Sequence, residues 1–130
     1  MKIIENPAQK YLNSLQKMLA KELDVGIYDI HAIVAPLYIV AEENGSALGV
    51  ATVSQTGSCP ELHKLYVAPL YRQRGVGRQL VEYAISLFTA KGAQELCVEM
   101  TEQSRSFWER TVANRKLEWI DSNKFSIILS

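Results

Sequence analysis

Arg72-Gln73-Arg74-Gly75-Val76-Gly77-Arg78 sets two glycines among three arginines, immediately before an amphipathic run. A helix start carries unpaired N–H groups and partial positive charge, so it ordinarily favours Asp, Glu or a neutral cap. Here cations crowd that end, and the first acid is Glu82. Such a start is electrostatically poor unless an anion sits on it. Gly75 and Gly77 let the backbone approach a ligand and offer free amides, which makes the segment a seat for phosphates. The competing reading is a glycine-relieved turn with solvated arginines. A Walker loop is excluded because no Gly-Lys-Ser or Gly-Lys-Thr occurs, and a dinucleotide fingerprint because Leu80 stands at its third glycine.

The motif resembles the Arg/Gln-x-x-Gly-x-Gly/Ala signature of the GNAT superfamily of acyl-CoA-dependent N-acyltransferases. Leu65-Tyr66-Val67-Ala68-Pro69-Leu70-Tyr71 resembles the end of that family's fourth strand and the turn after it. The likeness extends more weakly over nearly the whole chain. It implies a single domain over residues 1–130 and acetyl-CoA as cosubstrate, with no metal. The pyrophosphate would rest on the loop Arg72, Gln73, Arg74, Gly75, Val76, Gly77 and Arg78. The pantetheine amides would pair with the backbone of Leu65, Tyr66 and Val67, as in β-strand addition. Which arginine meets the 3′-phosphate is open. The implied reaction is direct transfer of an acetyl group to a primary amine. The alternative is an inactive GNAT-fold module that holds acyl-CoA as a sensor or partner subunit.

For the base, Glu61 and His63 are the candidates, two residues apart and so expected on one face of a strand. Glu61 lies eleven residues before Arg72, the spacing at which histone-type members carry a general-base glutamate. A partly buried carboxylate suits base work near neutral pH. Glu61 also reads as an acid at an exposed strand start, and His63 as a surface or core-edge histidine. The acid that protonates the departing thiolate is where the chain leaves the family pattern. Ser106-Phe107-Trp108-Glu109-Arg110 puts Trp108 at the place of the family's tyrosine, and indole cannot serve as an acid. The Leu-Gly-Phe that usually follows is replaced by Thr111 to Lys116. Trp108 then packs on the pantetheine arm or fills the core. Tyr66 and Tyr71 are nearby alternatives for the acid, with Tyr66 expected on the face opposite Glu61 and His63. Cys97 could accept an acyl group, although a small buried thiol is the commoner fate.

These residues need a scaffold, and 130 residues suffice for one domain with a real core. Formal net charge is zero, which argues against bulk nucleic-acid binding. The longest apolar stretch, Ala32 to Ala41, is short and holds Pro36, so no membrane span is expected. Met1 to Pro7 lacks a signal-peptide core, and Cys59 and Cys97 are too few for a disulfide framework; a cytoplasmic home is expected. No charge cluster points to one acceptor, so small amines, amino acids, antibiotics and protein N-termini all stay open.

The periodicity predicts alternating strands and helices, and the resemblance to the GNAT layout implies an α/β (α+β) fold, a mixed sheet of six to seven strands flanked by helices. Met1 to Glu5 reads as a strand, and Asn6-Pro7 as the cap and first turn of a helix marked by Leu12, Leu15, Leu19 and Leu23. A short second helix is expected around Asp29 to Val34. Leu37 to Glu43 and Ala47 to Thr56 read as strands around Asn44-Gly45, followed by a loop and a third strand, Glu61 to Val67. The helix after the phosphate loop should end at Gly92. A strand from Glu95 to Thr101, a helix from Ser104 to Asn114 and a hairpin of Leu117 to Ile120 with Phe125 to Leu129 complete the pattern. Phe125 to Leu129 is expected as an apolar edge strand able to seek a homodimer partner.

Overall fold

The computed structural model describes residues 1–22, 27, 29–31, 34–55 and 59–129. Seven strands form one sheet in the order β1-β2-β3-β4-β5-β7-β6: β1 Lys2–Glu5, β2 Pro36–Glu43, β3 Ser46–Ser54, β4 Glu61–Val67, β5 Glu95–Glu99, β6 Leu117–Asp121 and β7 Lys124–Ile128. Every pairing is antiparallel except β4 with β5. Those two strands are joined by the crossover helix α2, Val76–Ala90. The expected mixed, helix-flanked sheet is therefore present.

One face is covered by α1, Gln9–Ala20, whose Leu12, Leu15 and Leu19 pack with Val40, Val50 and Tyr66. The other is covered by α2 and by α3, Arg105–Thr111; Val76, Leu80, Ala84, Phe88 and Trp108 meet Leu62, Leu96, Val98, Phe125 and Ile127 there. Burying each large apolar side chain contributes about 1.5–3 kcal/mol. Successive strand residues serve opposite layers, as in Leu96 and Val98 against Cys97.

Local signals set several boundaries. Asn44 (φ 53°) and Gly45 (φ 81°) both turn left-handed, as a two-residue hairpin requires. After α2, Gly92 (φ 84°) directs its N–H to the Thr89 carbonyl and Ala93 its N–H to the Phe88 carbonyl, a paired left-handed stop. Asn6 does not cap α1. It is left-handed (φ 49°) and its N–H bonds to the Tyr38 carbonyl, so it ends β1, and the helix begins after Ala8 with no side-chain cap.

Four more expectations change. Leu23, Thr56, Gly57, Ser58 and, within the expected second helix, Ala32 and Ile33 lie outside the described residues. Next to them, His31 N–H bonds to the Asp29 carboxylate, a turn rather than a helix. β5 stops at Glu99, because Met100 N–H bonds to the Asn123 carbonyl and Thr101 with Ser104 forms a capping box. α3 is accordingly shorter than the expected Ser104 to Asn114 and follows a 3-10 turn, Glu102–Ser104. Finally, β7 is not an edge: it lies between β5 and β6 with Phe125 and Ile127 fully in the core, and β6 forms the edge, exposing Trp119 and Ile120.

Candidate functional site

β4 and β5 pair only at Glu61–Cys97 and Leu62–Val98 before they diverge. A bulge in β4 marks that point: Thr52 pairs with Lys64 and Val53 with Leu62, which leaves His63 as the extra residue. Beyond it, β4 keeps β3 as its partner and has open backbone on the β5 side. Ala68 N–H bonds to the Leu48 carbonyl. By antiparallel alternation, Tyr66 uses its backbone groups toward β3, while those of Leu65 and Val67 face the opening. Gly49 lets the strands approach there, since a Cβ would stand 2.8 Å from the Tyr66 carbonyl oxygen.

The opening is a cleft of about 620 Å³, walled by β4, the 71–78 loop and α3. Its floor is the loop. Gln73 (φ 63°) and Gly75 (φ 79°) are left-handed, and Gly75 precedes the first turn of α2. The first backbone bond into that helix runs from Gln79 N–H to the Gly75 carbonyl. Among the described residues the N–H groups of Val76, Gly77 and Arg78 are left over, with no acid in that turn. Alternating left-handed residues before a helix start make a concave nest of N–H donors, so the loop fits a pyrophosphate. Gly77 also admits the neighbouring helix: a Cβ there would lie 3.0 Å from the Phe107 ring, which forms the facing wall.

The three arginines do different things. Arg72 donates from Nε to the Val67 carbonyl at 2.9 Å and from Nη2 to Glu22 at 2.8 Å, and it lies over the Tyr66 ring. It therefore ties the loop to β4 and to the segment after α1. Arg74 stacks on Tyr71, and both Arg74 and Arg78 are exposed. Among the described residues neither has an ion pair, so they are the cations available to a phosphate.

The bulge separates the two expected bases. His63 lines the cleft with Leu62, Leu65 and Val67. Glu61 does not line it; its carboxylate pairs with Lys124 at 3.0 Å and is half-buried. Lys124 is held above the usual lysine range, chiefly by its hydrogen bond to Glu61 and then by that carboxylate's charge. Tyr66 belongs to the α1 layer and also lines the cleft. Its hydroxyl donates to Glu22, and burial first, then that bond, pushes its pKa far up. Trp108 is buried edge-on against Phe107 and Phe125, the core reading, with one side on the cleft. Cys97 is pushed up to about 12, by burial above all and then by Cys59, which makes it a poor acyl acceptor.

Sequence reasoning missed Glu22, Lys124 and Gly49. Only Gly49 left a signal, a glycine inside a β-type run. Among the described residues no group of three or more His, Cys, Asp or Glu is placed to hold a metal, and no helix is long and apolar enough to cross a membrane.

The fold is shared with known structures. Tetrahymena GCN5 superposes with a TM-score of 0.75 at 11% identity, covering 100% of this chain and 97% of that one. The PaiA N-acetyltransferase of Thermoplasma acidophilum, solved with coenzyme A, gives 0.68 at 19% identity over 98% of each chain. An aminoglycoside 6′-N-acetyltransferase complexed with coenzyme A gives 0.68 at 16% identity, over 98% of this chain and 94% of that one. No curated protein sequence matches. Residues 8–112, from just before α1 to the end of α3, match the model of the acetyltransferase (GNAT) family, and the chain belongs to that family.

Proposed function

We propose that the protein transfers an acetyl group from acetyl-CoA directly to the primary amine of an acceptor. The carrying observation is the nest of spare N–H groups at Val76, Gly77 and Arg78, opening on the cleft where β4 leaves β5. Acetyl-CoA supplies the activated thioester. The chain's own part begins with holding the pyrophosphate on the loop, beside Arg74 and Arg78. Leu65 and Val67 offer backbone groups to the pantetheine arm; the Val67 carbonyl is already engaged by Arg72, so its N–H and the Leu65 groups remain.

The thioester then reaches the gap between the strands, and the amine arrives from the opposite face of the sheet. Glu61 stands on that face, in register with Cys97, one pairing before β4 and β5 diverge. Its carboxylate takes the amine proton, with Lys124 paired to it at 3.0 Å and holding it in position. His63, on the donor side, is the second proton-handling group.

Calorimetric titration with acetyl-CoA, with free coenzyme A for comparison, tests the reading. Micromolar binding followed by acetyl-CoA consumption with a panel of amines is the expected result. Binding of neither ligand would overturn it.

A further inference from the structure

The chain has two cysteines, 38 positions apart in sequence, and the fold brings their sulfurs to 2.7 Å. Neither is used by the proposed reaction. We propose that Cys59 and Cys97 form an oxidation site: a small-molecule disulfide of the glutathione type converts them into a reversible intramolecular disulfide on the Glu61 face of the sheet.

The backbone already holds the two residues in place for this. Cys97 N–H bonds to the Pro60 carbonyl at 2.9 Å, the bond that carries the β4–β5 ladder one step beyond Glu61. The Cys59 sulfur also rests on the Glu95 carbonyl of β5 at 3.6 Å, so a backbone bond and a side-chain contact hold the two residues together. A disulfide has an S–S bond of about 2.05 Å, and the remaining approach falls within side-chain rotation. Both residues are only partly buried, which leaves an entry path for a small reagent.

The surroundings assign the order of events. Cys97 is surrounded by Glu95 and Glu61 as well as Cys59, and burial adds to their effect, so it keeps its proton at neutral pH. Cys59 is therefore the attacking sulfur. Its thiolate attacks one sulfur of the small disulfide, forming a mixed disulfide and releasing one small thiolate, which takes a proton from water. That step leaves Cys97 facing the mixed disulfide. Cys97 then gives its proton to solvent and attacks the Cys59 sulfur. The bond to the small thiol breaks, and a second thiolate leaves. The protein dithiol is oxidised by two electrons and the small disulfide is reduced to two thiols. In a reducing compartment such a bond is transient, which suits regulation better than stability.

The test needs no knowledge of the acceptor and stands apart from the proposed activity. Reduced protein is incubated with oxidised glutathione, alkylated after denaturation and weighed intact. The expected product has lost the mass of two hydrogen atoms, carries no alkyl or glutathionyl group, and regains two alkylatable thiols with dithiothreitol. Cys97→Ser should stop at a single glutathionyl adduct on Cys59, and Cys59→Ser should react about tenfold more slowly than wild type. Wild-type protein that keeps both thiols, accumulates glutathionyl adducts without ring closure, or cross-links into dimers would overturn the proposal. The wild-type measurement decides even if a variant fails to fold.

Discussion

The two faces of the sheet at the β4–β5 divergence are built in opposite ways. The donor side is made from one contiguous stretch, Leu65 to Arg78, with α3 as a wall, and its working groups are mostly backbone N–H. The far side is made from residues of β4, β5, β7 and the segment before β4, and its working groups are side chains: Glu61, Lys124, Cys59 and Cys97. A backbone nest depends on local φ and ψ, so a short motif encodes it. A side-chain cluster depends on strand register, which no short motif encodes.

The sharpest way to break that contrast is at the glycines. Gly77→Glu sets a carboxylate where the phosphates would lie and a Cβ 3.0 Å from Phe107. Affinity for acetyl-CoA should fall about a hundredfold, or ~2.8 kcal/mol, by calorimetry. Gly75→Ala meets no atom within 4 Å, yet it forces an L residue to φ 79°. It should cost about 1–2 kcal/mol in urea unfolding and weaken binding less than Gly77→Glu does. Equal losses from both would mean that conformation alone, and not space for an anion, makes the site.

The far side breaks through chemistry instead. Glu61→Gln should lower kcat by about 10²–10⁴ while acetyl-CoA affinity stays unchanged, because the carboxylate is outside the donor cleft. A larger loss of kcat in His63→Gln than in Glu61→Gln would move the base to the donor side. Lys124→Met should cost less, about tenfold, since it removes the partner and leaves the base.

This division also explains what could be read in advance. Asn44-Gly45, Gly92 and the Arg72 to Arg78 loop each impose a local backbone state, and each was visible as residue type and spacing. Glu61 and His63 were assigned to one face because strands alternate, and the bulge at His63 broke the alternation. The bulge is a property of how β3 pairs with β4, and nothing in Glu61-Leu62-His63-Lys64 announces it. Phe125 to Leu129 failed as an edge for the same reason: apolar content marks a strand but not its place in the sheet, and the hairpin enters with β7 first. The loop motif likewise does not announce the two partners of Arg72, Val67 and Glu22, because one lies on β4 and the other beyond α1.

The smallest expected effect lies in the thiol pair and is read as stability. Cys97 titrates from 9.0 in the ordinary state and at about 12 in the fold, with burial the leading cause. Between those values the unfolded chain binds fewer protons than the folded one, so stability must fall as pH rises through that window. Below it, both states carry the proton and the group contributes no pH dependence. In the presence of reductant, the urea midpoint of the wild type should therefore drop between about pH 7.5 and pH 10.5 by more than that of Cys97→Ala. Equal drops would place the alkaline sensitivity in other groups. Cys97 would then be a thiol no harder to ionise in the fold than out of it, and the order of attack assigned to the pair would lose its basis.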